Sequence, residues 1–268
     1  MASTVNELVE KIKTHRTYSH PFFQNWARAK PDAHVVGALF HQIQNFCAST
    51  RPGGAFPDAL KEHGLLKQSQ LLNEIVESED GHGPELATMA GYVVNQAAGK
   101  PVCRDLYNQQ AVEAQLKEFS DQIFGGVEGY EKVAGLTPQT RRAIGVFDYR
   151  NRSDLSSTYR NLGAALALEI ISNRHLIPGE KHCLIDSKLY QADLHTPEMH
   201  YLLEHWGEVG AEQQHEKNAI EAVASAFDNP KHAKSAVTGA EDFLDSLEAF
   251  WDSLDSALVQ PTRQKMAV

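Results

Sequence analysis

Apolar side chains recur every three to four residues along most of this chain, a spacing typical of amphipathic α-helices. Few segments alternate apolar and polar residues as half-buried strands do, and the sequence has no Asn-Gly hairpin turn. The pattern therefore predicts an all-α protein that folds as a single helical bundle. One helix is expected to begin at Ser19-His20-Pro21. The other predicted helices span about residues 4–15, 33–49, 57–79, 84–98, 105–124, 138–147, 155–174, 197–227 and 239–258.

Local signals indicate where several of these helices end. Thr4 followed by Glu7 forms a capping-box pattern, and the Arg51-Pro52-Gly53-Gly54 segment interrupts the helical period. The last helix places its large apolar side chains on one face. No repeat or linker divides the chain, so we expect one domain over residues 1–268, with a core at about 19–227 and the amphipathic C-terminal helix at about 239–258.

Composition narrows the range of partners. The chain has 268 residues, and its net charge of −10 argues against a nucleic-acid-binding face, which needs a basic patch. The three cysteines form no Cys-x-x-Cys pair, so we expect no disulfide framework and a reducing cytoplasm. We also expect no signal peptide and no membrane span, because no apolar run is long enough. The composition leaves a homodimer open.

Metal-capable side chains are concentrated in one segment, His205-Trp-Gly-Glu208-Val-Gly-Ala-Glu212-Gln-Gln-His215. Their spacings of three, four and three residues would place them on one face of a helix. Carboxylate and imidazole donors in this combination suit divalent iron or manganese. The alternative is an acidic helix face that is simply solvated.

Glu169 is a second candidate, because it is the only acid in the run Leu162-Gly-Ala-Ala-Leu-Ala-Leu-Glu169-Ile-Ile. A carboxylate buried among aliphatic neighbours must be paired, protonated or bound to a metal. Metal sites in helical bundles draw ligands from several helices, so this residue could complete the first set.

The acidic segment 73–85 could supply a third set of ligands. Glu77 and Glu79 lie near the edges of its apolar face, and its glycines would allow His82 or Glu85 to turn inward. A hydrophilic helix end is the competing interpretation of this segment.

Four segments, taken in chain order, carry a family resemblance. They are Ser19-His-Pro-Phe-Phe-Gln-Asn-Trp26, Leu72-Asn-Glu-Ile-Val-Glu77-Ser-Glu-Asp-Gly-His-Gly83, Leu162-Gly-Ala-Ala-Leu-Ala-Leu-Glu169, and Tyr201-Leu-Leu-Glu-His205 through His215. Their order and spacing resemble the heme-oxygenase-like fold, in the branch with TenA, PqqC and the heme-oxygenase-like diiron oxidases. The resemblance covers about residues 19–227.

The resemblance implies a ligand set. The diiron branch uses a Glu and a His on one helix, a Glu on the next core helix, and His-x3-Asp/Glu-x2-His on the last. Glu208 stands where this last motif has its first histidine, and His205 lies too far from Glu212 in the sequence to replace it. The implied metal ligands are Glu77, His82, Glu85, Glu169, Glu208, Glu212 and His215.

The resemblance also implies two Fe²⁺ ions per chain, with Mn²⁺ as an alternative in part of the site, and O2 as co-substrate. We expect a non-heme oxidase or oxygenase that oxidises, desaturates or cleaves a small amino-acid-like or fatty-acid-like substrate. An arginine near Tyr149 or Tyr159 could clamp a substrate carboxylate, although a cationic surface loop is the alternative. The candidates are Arg150, Arg152 and Arg160.

Two other classes stay open. TenA-like and PqqC-like relatives work without a metal, the former with a cysteine nucleophile, but neither Cys47 nor Cys183 lies in a convincing nucleophile context. A non-catalytic interaction protein could use the amphipathic C-terminal helix for docking or as a dimer contact.

Overall fold

The computed structural model describes residues 4–50, 55–79, 82–147, 154–207 and 211–259. These ranges contain no strand and one isolated bridge, between Glu131 and Leu136, so the expectation of an all-α protein is confirmed. The α-helices are α1 Val5–Thr14, α2 Phe22–Ala29, α3 Ala33–Thr50, α4 Ala55–Glu62, α5 Leu66–Ser78, α6 His82–Ala98, α7 Gln109–Phe124, α8 Pro138–Gly145, α9 Leu155–Ile171, α10 Ile177–Lys181, α11 His200–His205, α12 Glu212–Ala224 and α13 Pro230–Val259.

Helix starts follow the local sequence signals. Thr4 caps α1, since its hydroxyl accepts a hydrogen bond from the backbone N–H of Glu7, as the capping pattern predicts. Pro21 immediately precedes α2 and leaves one fewer N–H group without a partner there. These contacts fix the chain where it enters the bundle.

Two long predicted helices are broken in the structure. The segment predicted at 57–79 splits into α4 and α5 around Gly64, which has φ +75°. The helix predicted at 197–227 is also wrong: α11 ends at His205, Gly207 has φ +88°, and α12 begins at Glu212. Glycine adopts these positive φ angles without steric cost, and the helical hydrogen-bond ladder cannot continue through them.

The helix that begins as α9 runs further than its apolar pattern predicts. It continues through a π-helical turn at Ser172–Leu176, α10, and a second π-helical turn at His182–Asp186. Pro178 explains part of this irregularity, because proline donates no backbone hydrogen bond and its ring crowds the carbonyl four residues earlier. The π turns change which side chains face the interior, and Glu180 becomes one of them.

The C-terminal helix α13 is part of the core. It begins at Pro230 rather than near residue 239, and its apolar face packs on α2, α3, α8 and α9 of the same chain. Phe250 stacks on Phe46 at 5.0 Å between ring centroids, and Trp251 stacks on Phe22 at 5.4 Å. The face that the alternative interpretation assigned to docking is therefore covered by the chain's own helices, and the core extends beyond the expected 19–227. Among the helices of the described ranges, none is long and apolar enough to cross a lipid bilayer.

Two glycines allow α9 and α13 to cross at close range. A Cβ atom on Gly163 would lie 1.8 Å from the carbonyl oxygen of Ala236, and one on Gly239 would lie 1.9 Å from that of Arg160. Backbone oxygens of two packed helices cannot move aside as the end of a flexible side chain can. The crossing therefore fixes the position of α9, which carries Glu169.

Gly163→Ala should destabilise the protein by about 3 kcal/mol, because the added methyl group forces the two helices apart. Urea unfolding would measure the change. Gly145→Ala is the matched control, since its Cβ would meet nothing within 4 Å and alanine is the better helix former by up to about 1 kcal/mol. Equal stabilities for the two variants would contradict the close-crossing account.

Candidate metal centre

Five helices bring carboxylates and imidazoles together at one place in the bundle. Glu79 follows the last residue of α5, His82 begins α6, Glu169 lies on α9, His205 ends α11, and Glu212 and His215 lie on the first turn of α12. Four of these side chains are almost fully buried. Their residues are only 3–5% exposed: Glu169, His205, Glu212 and His215.

The Glu79 carboxylate lies at the centre of this cluster and faces three histidines. Its Oε1 atom is 3.6 Å from His205 Nε2 and 3.7 Å from His215 Nδ1. Its Oε2 atom accepts a hydrogen bond of 3.0 Å from His82 Nδ1. One oxygen therefore faces the histidines of α11 and α12, and the other faces the histidine of α6, so a single carboxylate connects three imidazoles.

Two donor groups share this carboxylate. The inner group consists of Glu79, Glu212 and His215, and the outer group consists of Glu79, His82 and His205. Within each group, one ligand atom from each residue lies within 4.8 Å of the others. Each group therefore has enough convergent donors to hold a metal ion, with one carboxylate common to both.

Further carboxylates surround the two groups. Glu169 Oε2 lies 3.7 Å from His215 Nδ1, and Glu212 Oε1 lies 3.8 Å from His205 Nε2, so both acids border the inner group. Glu85 and Glu204 form a third group with His82, at a more exposed rim. Glu204 Oε2 is 3.2 Å from His82 Nε2 there.

Hydrogen bonds on the outer side of two histidines fix which nitrogen faces the carboxylates. His205 Nδ1 donates to the Tyr201 carbonyl oxygen at 2.6 Å, so Nε2 is the nitrogen that faces Glu79. The Ser78 hydroxyl donates its single proton to the Ile75 carbonyl, and it must therefore accept the 2.6 Å hydrogen bond from His215 Nε2. His215 then presents the lone pair of Nδ1 to Glu79 and Glu169.

The His215 lone pair and the neighbouring carboxylates face one buried volume, where a proton or a cation would stabilise them. Second hydrogen bonds of this kind orient histidine ligands in metal sites. Glu212 Oε2 is also buried and has no hydrogen-bond partner among the described residues. The donor set thus fits a metal ion, and its buried, unpartnered oxygen is an observation independent of the spacing in the sequence.

The electrostatics of the cluster agree with this interpretation. Burial, and then the charge of Glu79, raises the pKa of Glu169 to about 8. Burial and the neighbouring carboxylates of Glu169, Glu79 and Glu180 raise the pKa of Glu212 as well. Burial lowers the pKa of His215 to about 4, although the Glu79 carboxylate opposes this shift.

The pKa of Glu79 shifts in the direction opposite to those of Glu169 and Glu212. Burial alone would raise its pKa, but hydrogen bonds from His205 and His82 outweigh burial and hold the pKa well below its usual range. The hydrogen bond to Glu79 in turn raises the pKa of His82. The cluster therefore holds one ionised carboxylate at its centre and two whose ionisation requires a further positive charge.

A small cavity of about 50 Å³ borders the cluster. Glu79, Glu169, His205 and Glu212 line it, together with a larger number of mainly apolar residues. Such a volume accommodates only a few water-sized molecules. The apolar lining residues are Phe46, Ile75, Leu168, Leu176, Ile177 and Tyr201.

The structure assembles most of the ligand set expected from the sequence. His82, Glu169, Glu212 and His215 lie together, and Glu85 lies at the rim. Glu77 does not reach the cluster: its side chain is exposed and accepts a hydrogen bond from Asn73. Glu208 lies outside the described residues.

Glu79 and His205 were missing from the expected ligand set. Glu79 lies just past the end of α5, two residues from Glu77, so a helical projection of the segment did not single it out. His205 was set aside because its sequence spacing to Glu212 is too long for the His-x3-Asp/Glu motif that the resemblance implies. Because α11 ends at His205 and α12 begins at Glu212, the two side chains come close together, with 3.8 Å between His205 Nε2 and Glu212 Oε1.

The described residues of the expected arginine clamp lie away from the cluster. Arg160 forms an ion pair with Asp242, and Tyr159 stacks on His232 with 4.2 Å between ring centroids. Neither residue lines the cavity at the cluster. Tyr149, Arg150 and Arg152 lie outside the described residues.

Comparisons of the chain with protein-family models, with curated proteins and with solved structures give no match. The chemistry of the site is therefore inferred from its own geometry.

Glu180 is a further buried acid that the sequence gave no reason to select. It is 3% exposed, and its Oε2 atom has no hydrogen-bond partner among the described residues. Burial raises its pKa to about 8, so the folded chain retains a proton that the unfolded chain releases near its ordinary value of 4.5. Stability from this group is therefore present at low pH and is lost as the pH rises towards 8.

Glu180→Gln should stabilise the metal-free protein more at pH 8 than at pH 6. The advantage of glutamine should grow by about 2 kcal/mol over this range, because each pH unit below the shifted pKa costs the glutamate about 1.4 kcal/mol. Urea unfolding at the two pH values would measure this difference. Glu77→Gln, on an exposed side chain, is the control, and an advantage for Glu180→Gln that is the same at both pH values would refute the assignment.

Proposed function

We propose that this chain is a non-heme dimetal oxidase or oxygenase that binds two Fe²⁺ ions, with Mn²⁺ as an alternative in part of the site, and uses O2 as co-substrate. The observation that carries the proposal is the Glu79 carboxylate shared between two donor groups. A helical bundle in which several helices contribute carboxylates and histidines is a known scaffold for such centres. The heme-oxygenase-like type of bundle is part of the proposal, on the resemblance of the four sequence segments.

The chemistry of the donors supports iron or manganese over other metals. The two groups contain carboxylate and imidazole ligands and no thiolate, a combination that suits Fe²⁺ and Mn²⁺. When bound, reduced iron supplies the electrons for the activation of O2. Glu79 would be a ligand at both positions, with Glu212 and His215 at the inner one and His82 and His205 at the outer one. Glu169 would add a carboxylate beside His215.

The protein also provides a largely apolar compartment. The apolar residues that line the small cavity limit the number of water molecules beside the centre. The hydrogen bonds to Tyr201 and Ser78 hold His205 and His215 in one orientation before a metal binds. Pre-organised ligands lower the cost of assembling the site.

A metal-free mechanism with a cysteine nucleophile fits the structure less well. Cys47 lines the cavity, but burial and then the charges of Glu180, Glu79 and Glu212 raise the pKa of its thiol well above the usual value. Burial raises the pKa of Cys183 in the same direction. Both thiols are therefore held protonated, whereas the thiolate is the nucleophile.

Metal counting on matched variants tests the proposal. The intact protein, loaded with Fe²⁺ without oxygen and freed of excess metal, should retain two irons per chain. Glu79→Gln should retain fewer than one, because the variant removes the shared ligand charge from both positions. Glu77→Gln alters the same segment at an exposed side chain and should retain two irons.

Circular dichroism would confirm that both variants are folded. Retention of two irons by Glu79→Gln, or no retention of iron by the intact protein, would contradict the dimetal assignment.

The reaction with oxygen tests the activity itself. Mixing the iron-loaded protein with O2 should produce a transient charge-transfer absorption band and consume O2, because reduced iron is oxidised at the site. Stopped-flow absorbance and an oxygen electrode would measure both. Glu79→Gln should give neither signal, and an iron-loaded intact protein that leaves O2 untouched would contradict an oxidase.

A further inference from the structure

A larger cleft, of about 400 Å³, lies beside the metal centre. Cys47, Glu79 and Tyr201 line both this cleft and the small cavity, so the two spaces share a wall at the centre. The volume is within the range of small-molecule binding sites. The cleft is therefore the place from which a substrate would reach the centre.

Hydrogen-bond acceptors also belong to the cleft wall where α3 and α7 meet. The Glu113 carboxylate on α7 accepts hydrogen bonds from the side-chain amides of Gln44, at 3.0 Å, and Gln109, at 2.8 Å. All three residues line the cleft. Both amide donors go to the same oxygen, Glu113 Oε1.

Gln44 provides an independent sign that a ligand is missing from this wall. It is 5% exposed, and its Oε1 atom is buried without a hydrogen-bond partner among the described residues. Its amide orientation is fixed, because a carboxylate such as Glu113 only accepts hydrogen bonds and the Gln44 nitrogen must face it. The orphan atom is therefore an acceptor, and a ligand that satisfies it must donate an N–H or O–H group.

The charge of the cleft indicates the kind of donor. Two carboxylates, of Glu79 and Glu113, and one imidazole, of His82, line it, while none of its described lining residues is a lysine or an arginine. A ligand carboxylate would be repelled by this lining, and an ammonium group would be attracted. Between the acids the wall is formed largely by Ala48, Pro84, Leu86 and Tyr201, against which an aliphatic chain would pack.

We infer that the cleft binds a small organic amine in its cationic form, with the ammonium group at Glu113 and Gln44 and the aliphatic part along the apolar wall towards Glu79. The inference rests on the proposed function, since it assigns the substrate class of the same centre. It replaces the carboxylate-bearing substrate and arginine clamp expected from the sequence with a ligand of opposite charge. Gly83 leaves room beside Gln109, whose amide nitrogen would lie 3.8 Å from an added Cβ.

Calorimetric titration of the metal-free protein with matched six-carbon probes tests this assignment. Hexylamine should bind at least tenfold more tightly than hexanol or hexanoate at neutral pH. Glu113→Gln should weaken hexylamine binding by about 10- to 100-fold, the range for loss of a charge-assisted hydrogen bond. Glu118→Gln removes the same charge from an exposed position of α7 and should leave binding unchanged.

Hexanoate binding as tight as hexylamine, no binding of hexylamine, or equal affinities for the Glu113→Gln and Glu118→Gln variants would each overturn the amine assignment. Iron counting on Glu113→Gln separates this failure from failure of the metal centre, because the variant should still retain two irons. Two irons without amine binding would refute only the substrate class. Amine binding without iron would refute only the dimetal centre.

Discussion

The central constraint on this structure is a single half-buried carboxylate that faces three imidazoles at once. Glu79 contacts His82, His205 and His215, which lie on three different helices. Hydrogen bonds from two of these histidines keep Glu79 ionised inside the protein. Because the contacts join α6, α11 and α12 to the end of α5, the positions of these helix ends and of the donor atoms depend on one another.

The burial of Glu169 and Glu212 is explained by their position beside Glu79. Burial raises the pKa of both carboxyl groups, so the metal-free protein opposes their ionisation. A protein selected for stability alone would place apolar side chains there. Divalent cations would supply the missing positive charge. The glycine-mediated crossing of α9 and α13 fixes the position of the helix that carries Glu169.

The sequence predicted those parts of the site that depend on one helix only. Glu169 stands alone in an apolar run, so its burial followed from the pattern of its own helix. The choice between Glu77 and Glu79 depended on where α5 ends, and a helical period gives no information about a residue beyond the last turn. The meeting of His205 and Glu212 depended on the break at Gly207, whose left-handed backbone interrupts the predicted helix.

Tertiary packing was equally invisible in the pattern. The apolar face of α13 looked like a surface for a partner, because periodicity shows that a face is buried and not what buries it. Glu180 was overlooked because it enters the interior between two π-helical turns, where the ordinary helical spacing no longer applies. The cleft acceptors Gln44 and Glu113 lie on separate helices and became a pair only in three dimensions.

The position of metal ions in a crystal is the most direct test of the shared carboxylate. Crystals of the intact protein soaked with Mn²⁺ should show two anomalous scattering peaks that flank the Glu79 side chain. One peak should lie within ligand distance of Glu212 and His215, and the other within ligand distance of His82 and His205. No peak at Glu79, or a single peak at the rim formed by His82, Glu85 and Glu204, would contradict the dimetal centre.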